Sequence, residues 1–373
     1  MNIGINTRFL LSNKMEGFGW YTFEICKRIV EKHPEHHFFF FFDRPFDTQF
    51  VFSNNVTPIV CSPPARHPFL FYWWFEFSIA KALKKYAIDL FFSPDGYLSL
   101  KSKVPQIITI HDLNFEHYPK DLPFLASKYL RYFFPKFAHK AKHIITVSEF
   151  SKKDIIQRYK IPEEKISVIW NGSSPLFKPF SEAEKHEIRS QFEIKKPYFL
   201  FVGSLHPRKN IKNLLLAYQK YYHSCSIPFD LVIVGSFLWK SFEKELFIPK
   251  SIQNSIHLLG HLPIESLVRV TAAAEVFVYT PYFEGFGIPL AEALRCHLPI
   301  ISGNLTSLPE VVDDAAVLVN PFDIDEISDA MTQMTENKGL REKYSQLSAN
   351  RAHLFSWDIS AEKTWEVIEK GLQ

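Results

Sequence analysis

Glu284 and Glu292 stand eight positions apart in YFEGFGIPLAEALRCHLPIIS, residues 282–302. The preceding EVFVYT, 275–280, is rich in β-branched and aromatic residues and reads as a buried strand. Gly285 and Gly287 let backbone come close to a ligand. Pro289 suits the first turn of a helix, where no amide bond is lost. A helix start offers unpaired N–H groups and a positive dipole end to a phosphate. Ile288 and Glu292 are i,i+4, so Glu292 shares the side of that turn. Such a strand–turn–helix can hold a phosphate with backbone amides while its carboxylates accept from sugar hydroxyls. The bland alternative is a glycine-rich corner with two surface glutamates.

FVGSLHPRKNIKNLLLAY, 201–218, is the second such junction. A strand ends at Gly203, Ser204 follows, the loop carries Arg208 and Lys209, and Asn210 is placed to cap the next helix. Arg suits bidentate phosphate contact and Lys acts as a point charge, so the pair can neutralise a departing diphosphate. A solvated basic loop is the alternative. In MEGFGWYTFEI, 15–25, Gly17 and Gly19 precede a helix and allow backbone to approach a phosphate or an acceptor. The third glycine of a dinucleotide fingerprint is missing. His111 and Asp112 end the strand QIITI, where side chains of parallel sheets face a ligand. A histidine there can donate to a sugar hydroxyl or shuttle a proton. Ser148 in TVSEFSKKDI is a helix cap, with Ser151 the alternative. Gly235 after LVIV, and Gly260 with His261 after HLL, are strand-end turns.

Two further segments invite readings of their own. PPARHPFLFYWWFEFSIAKALKK, 63–85, carries Phe71, Trp73, Trp74 and Phe75 flanked by Arg66, Lys81, Lys84 and Lys85. It fits either a membrane-surface contact or a helix packed on a sheet. Asp323-Ile324-Asp325 has an Asp-x-Asp spacing that holds metal elsewhere; here, after Pro321, it reads as the acidic start of a helix, and no metal is expected.

These motifs need a frame of short apolar strands alternating with amphipathic helices, which predicts an α/β protein with parallel sheets. Strands are expected near 2–6, 37–42, 57–60, 89–92, 106–110 and 143–147, with helices near 19–33, 70–86, 124–139 and 150–159. The pattern restarts at PYFLFVG, with strands near 197–203, 229–234, 256–259, 275–280, 299–302 and 316–319. Two Rossmann-like doubly wound domains follow, 1–175 and 176–355, with Pro175, Pro179 and Ser181 punctuating the link. FSWDISAEKTWEVIEKGL, 355–372, reads as an amphipathic helix.

In combination the motifs closely resemble the retaining glycosyltransferases of family 4, including their Glu-x7-Glu and Gly-x-Leu-x-Pro-Arg-Lys-Asn stretches. Ser204 departs from the Arg or Thr many members carry; it can still hydrogen-bond a phosphate, but any ion pair there is lost. The resemblance implies the GT-B architecture, two Rossmann-like domains with an interdomain cleft, and a C-terminal helix, 356–373, that returns to the first domain. It implies that the second domain binds the donor and the first faces the acceptor. By that pattern Glu284 contacts the donor sugar, Glu292 the ribose, and the amides of Phe286, Gly287 and Ile288 the phosphate and sugar. Gly235, Gly260 and His261 seat the base, Arg208 and Lys209 hold the diphosphate, and His111 meets the transferred sugar. The Pro-Arg-Lys-Asn stretch and the opening strand resemble those of bacterial mannosyltransferases of polysaccharide assembly, which makes GDP-mannose the first expected donor and a UDP-hexose the next. The implied acceptor is a saccharide or lipid-linked oligosaccharide reached from the cytosolic membrane face. No cofactor beyond the nucleotide-sugar co-substrate is expected.

Composition is compatible with this. The chain has 373 residues, 46% hydrophobic and 22% charged, an ordinary globular balance with 37 phenylalanines. No apolar run reaches the roughly 18–20 residues that span a bilayer. The opening MNIGINTRFL lacks a secretory pattern, and four scattered cysteines suit a reducing compartment, so a cytoplasmic protein is expected. Residues 1–175 hold 23 Lys and Arg against 16 Asp and Glu, a surplus that suits an anionic membrane face or a phosphate-bearing acceptor, or equally an ordinary solvated surface; nucleic acid is not expected. Two other classes fit parts of the pattern: a non-hydrolysing UDP-N-acetylhexosamine epimerase and a non-catalytic sugar-nucleotide-binding protein. A nicotinamide dehydrogenase is disfavoured by the missing fingerprint.

Overall fold

A computed structural model describes residues 1–12, 15, 17–236 and 248–373. Glu16 of the MEGFG stretch lies outside the described residues. The chain forms two compact units, one of Met1–Gly172 with Ser356–Gln373, the other of Ser173–Phe355.

The first unit holds seven strands: β1 Asn2–Asn6, β2 His37–Phe42, β3 Val56–Val60, β4 Leu90–Ser93, β5 Gln106–Thr109, β6 His143–Thr146 and β7 Ile166–Val168. Their order is β3-β2-β1-β4-β5-β6-β7, and every pairing is parallel. The phenylalanine run is β2, buried on both faces as strands of parallel sheets are, with Phe38, Phe40 and Phe41 wholly inaccessible. Helix Trp357–Leu372 completes this unit. Its Ser360 hydroxyl donates to the Trp170 carbonyl at 2.6 Å, and Lys142 donates to the Gly371 carbonyl at 2.8 Å. Contact is so close that a Cβ on Gly172 would lie 2.2 Å from the Trp357 nitrogen, and one on Gly371 2.7 Å from Leu90.

The second unit repeats the plan with β8 Tyr198–Val202, β9 Asp230–Val234, β10 Ile256–Gly260, β11 Val276–Tyr279, β12 Ile300–Gly303 and β13 Ala316–Val319. The order is β10-β9-β8-β11-β12-β13, again parallel throughout. In each sheet the strand order reverses beside the first strand, at β1/β4 and at β8/β11, and ligand crevices open at such points. The fold is GT-B, two Rossmann-like α/β units. All four cysteines are buried free thiols.

Candidate active site

In the second unit, the loops after β8 and β11 meet. Arg208 and Lys209 lie in a 3-10 turn, Pro207–Lys209, and Glu284 follows β11. Arg208 Nη1 is 2.7 Å and Lys209 Nζ 2.5 Å from the same Glu284 oxygen, Oε1. Arg208 also donates to the Phe283 carbonyl at 3.0 Å. Lys209 donates to the Tyr279 hydroxyl at 2.5 Å. Burial would push the Glu284 carboxyl up, but the two cations outweigh it and hold it at about 2. The charge is therefore fixed, and the cluster is two cations on one carboxylate, a net positive site suited to a further anion.

The turn that presents Glu284 is built from backbone. Gly287, at φ +97° and ψ +59°, starts helix Ile288–Arg295, with Pro289 in its first turn as the sequence predicts. Two residues that the sequence reading passes over hold this turn. The Ser307 hydroxyl donates to the carbonyls of Glu284 and Phe286 at 3.0 and 3.2 Å, and the Glu284 amide donates to Thr306 Oγ1 at 3.2 Å. Thr306 has φ +59°, rare for a β-branched residue and a mark of strain that clusters at working sites. Phe286 is buried, its ring edge-on to Phe355 at 5.8 Å, while Gly285 lies within the same turn.

Glu292 is partly buried on that helix, and burial pushes its carboxyl up to about 8. Burial also raises the Tyr279 phenol, and Glu284 adds to that. Asn210 departs from expectation. It does not cap the helix Ile211–Ser224 with its side chain, because its backbone is left-handed (φ +61°) and turns Nδ2 toward the carbonyls of Thr280 and Pro321, at 3.0 and 2.6 Å. It ties the cationic loop to β11 instead. Asp323 caps helix Ile324–Glu336 by accepting from the amides of Asp325 and Glu326, and no metal-binding cluster occurs among the described residues.

The ends of β8, β9 and β10 line an open concavity of about 310 Å³ formed by Leu205, Ile233, Gly235, Ser236, Leu258 and Gly260. Ser204 immediately precedes the lining residue Leu205, and His261, next to Gly260, is exposed. The wall is shaped by amides: Gly203 donates to the Val234 carbonyl, Gly235 to Gly260, and Leu205 to Ser236. An apolar slot with backbone groups on its edge suits a planar base.

In the first unit, the ends of β1, β4 and β5 gather His111, Arg8 and Asp95. His111 Nε2 is 2.8 Å from the Pro94 carbonyl. A carbonyl only accepts, so Nε2 carries the hydrogen and the neutral ring presents Nδ1 as an acceptor for a hydroxyl. Burial lowers the ring's affinity for a second proton, more than the Pro94 bond and Asp112 restore it. Phe18 and Tyr21 of helix Gly17–Lys32 pack on the ring at 4.8 and 4.7 Å. Arg8, missed by the sequence reading, is buried and donates through Nε to Asp95 at 2.6 Å. Four rings surround its guanidinium, Tyr97 closest at 4.3 Å. Asp95 follows β4 as Arg8 follows β1, so each sheet has a cation–carboxylate pair across its reversal point.

The two glycines expected to precede a helix lie instead in its first turn, and they separate. Gly17 is exposed, and a Cβ there meets nothing within 4 Å; one on Gly19 would lie 2.8 Å from the Phe9 carbonyl. Gly19 is thus needed for packing, and Gly17 is the one open to a ligand. Parallel thermal melts of Gly17→Ala and Gly19→Ala check this: the first stays within about 0.5 kcal/mol of wild type, the second loses about 1–3 kcal/mol.

Comparison with known proteins follows the same division. Residues 15–175 match the model of Glycosyltransferase Family 4, and residues 183–351 that of Glycosyl transferases group 1. The chain is 32% identical over 291 residues to O-antigen chain mannosyltransferase B of Escherichia coli, covering 76% of this chain and 75% of that one. It is 28% identical to the O-antigen chain mannosyltransferase RfbU of Salmonella typhimurium, covering 58% and 57%. Among solved structures, Anabaena HepE in complex with UDP and glucose superposes with a TM-score of 0.79 at 18% identity, over 99% of this chain and all of that one.

Proposed function

The chain belongs to glycosyltransferase family 4, and on that premise we propose that it moves a hexose, mannose first, from a nucleotide-sugar to a saccharide or lipid-linked oligosaccharide with retention of configuration. The observation that carries the site is the pair of cations on Glu284 beside a helix start. Mannose is favoured because the relatives above are named as mannosyltransferases. GDP-mannose is the first donor and a UDP-hexose the second. The acceptor belongs to cell-surface polysaccharide synthesis at the cytosolic membrane face.

In this reading the donor diphosphate lies against Arg208, Lys209 and the amides of Phe286, Gly287 and Ile288. The bond from the sugar's anomeric carbon to the diphosphate oxygen breaks, and the two cations take up the growing charge on that oxygen. The acceptor hydroxyl attacks from the same face, and its proton passes to the leaving phosphate. Glu284, already ionised and paired, accepts from the donor sugar's hydroxyls. Glu292 accepts from the ribose, and His111 Nδ1 from a hydroxyl of the transferred sugar. Gly235, Gly260 and His261 hold the base. A trapped glycosyl adduct on Glu284 would overturn this mechanism.

Thermal-shift titrations with GDP, UDP, ADP and their sugar conjugates test the function, since a ligand of the native state raises its melting temperature. One nucleotide class shifts the wild type and shifts Glu292→Ala less; no shift with any class sinks the reading. The pH dependence has a definite sign. The Glu292 carboxyl, at about 8, is protonated at neutral pH, and donor hydroxyls favour its ionised form. Binding therefore releases a proton, and affinity rises with pH until it levels off above about 8. Calorimetry in buffers of different ionisation enthalpy detects that proton in wild type and not in Glu292→Gln.

A further inference from the structure

We propose that the first unit carries a two-helix docking surface for an anionic phospholipid bilayer, formed by the segment 68–85 and helix Phe124–Lys140. The segment runs as helix Pro68–Trp73, a π turn Trp74–Ile79 and helix Ala80–Lys85. Its inner side buries Trp74, Phe75 and Ile79, yet Phe69, Trp73 and Phe77 are 66%, 45% and 41% exposed. The stripe continues at the same spacing of four through Lys81 and Lys85, both exposed. Helix Phe124–Lys140 repeats the pattern with Phe124, Lys128, Tyr132, Lys136 and Lys140, all exposed. Phe124, Leu125 and Tyr132 are 68%, 57% and 60% accessible.

Ring contacts join the two stripes into one face. Trp73 stacks on Phe77 at 4.8 Å, Phe77 meets Tyr72, Tyr72 meets Phe133 at 5.7 Å, and Phe133 meets Tyr132. Lysines ride on the rings: Lys101 lies 3.7 Å from the Phe77 centroid, Lys128 4.4 Å from Phe124 and Lys136 3.3 Å from Tyr132. Helix 124–140 contains no acidic residue. The one acid of 68–85, Glu76, turns inward and accepts from the amides of Leu100 and Lys101 at 2.7 and 2.9 Å. Arg131 on the same helix pairs with Glu116 at 3.3 Å, which leaves the lysines as the stripe's cations. Exposed aromatic rings flanked by lysines, with no outward carboxylate on either segment, match the interfacial zone of a bilayer, where rings enter the headgroup layer and lysine stems reach lipid phosphates. A second copy of the same face would set lysines against lysines, so self-association is the poorer occupant.

The purpose of this surface rests on the lipid-linked acceptor proposed above, but its physics does not, so vesicle binding and nucleotide binding are measured separately. Full-length chain is sedimented with vesicles of phosphatidylcholine alone or with phosphatidylglycerol added. Wild type partitions to the anionic vesicles at least about tenfold better, falling with salt. Lys128→Ala/Lys136→Ala lowers that partition by about tenfold or more. Trp73→Ala/Phe77→Ala lowers it on both vesicle types. All substituted side chains point outward, so nucleotide-induced thermal shifts stay as in wild type and report an intact fold. Equal partition to both vesicle types, or anionic binding untouched by the lysine variant, overturns the proposal. So does vesicle-free self-association that the aromatic variant abolishes, which would give the face to a second copy. Vesicle binding that persists where no nucleotide shifts the protein upholds the surface and removes the transferase reading alone.

Discussion

Lys209→Met lowers kcat by about 10²–10³-fold in single-turnover transfer, the cost of removing one charge aimed at a leaving oxygen. Methionine keeps the stem of Lys209, which is 7% exposed, and deletes only the ammonium. The same change destabilises the second unit, because Glu284 loses its 2.5 Å partner and is left with Arg208. Breaking one side of a buried pair costs about 3 kcal/mol. The sign with pH is fixed by Glu284: its folded-state value is depressed to about 2, so its stabilisation is present above the ordinary carboxyl range and is lost as pH falls toward 2. In Lys209→Met that loss sets in at higher pH. Lys209→Met/Glu284→Gln removes both charges and recovers stability in urea titrations while transfer stays at least as slow as in Lys209→Met. A single variant with kcat within a few-fold of wild type would mean that Lys209 does not serve the leaving group.

Gly235→Ala and Gly260→Ala give opposite outcomes although both glycines edge the same concavity. Gly235 has φ +144°, and a Cβ there would sit 1.9 Å from the Gly203 carbonyl oxygen, a backbone atom that cannot swing aside. The substitution costs about 4 kcal/mol or more, and thermal melts show the second unit unfolding early. Gly260 has φ +65° and open space where its Cβ would be. Alanine there costs only about 1–2 kcal/mol, and the new methyl enters the space proposed for the base. Nucleotide affinity falls while the fold persists. Wild-type affinity in Gly260→Ala would move the base elsewhere.

Much of this was legible in the chain because it is local. Glu284, Gly287, Pro289 and Glu292 lie within nine residues, and Arg208 and Lys209 sit in one turn, so strand ends and helix starts declare themselves by spacing. What stayed hidden depends on strands that meet only in three dimensions. Arg8 and Asp95 are 87 positions apart, and nothing in either neighbourhood marks the other. Ser307 and Thr306 look like ordinary loop residues until their hydroxyls are found on the Glu284 turn. Asn210 was misread because propensity speaks for a cap, while the left-handed backbone that denies it is imposed by the carbonyls of Thr280 and Pro321. Gly17 and Gly19 look alike in sequence, and only the Phe9 carbonyl separates them.

The helix Trp357–Leu372 has a consequence for how the protein is made. It belongs to the unit that begins at Met1, yet 183 residues of the other unit, Ser173–Phe355, are synthesised before it. On the ribosome, β1 to β7 therefore emerge with the site of Gly172, Leu90 and Ile107 uncovered, while the second unit has all its strands in hand and can close first. The core of the first unit is covered only once Trp357–Leu372 has been made, after the whole of the other unit.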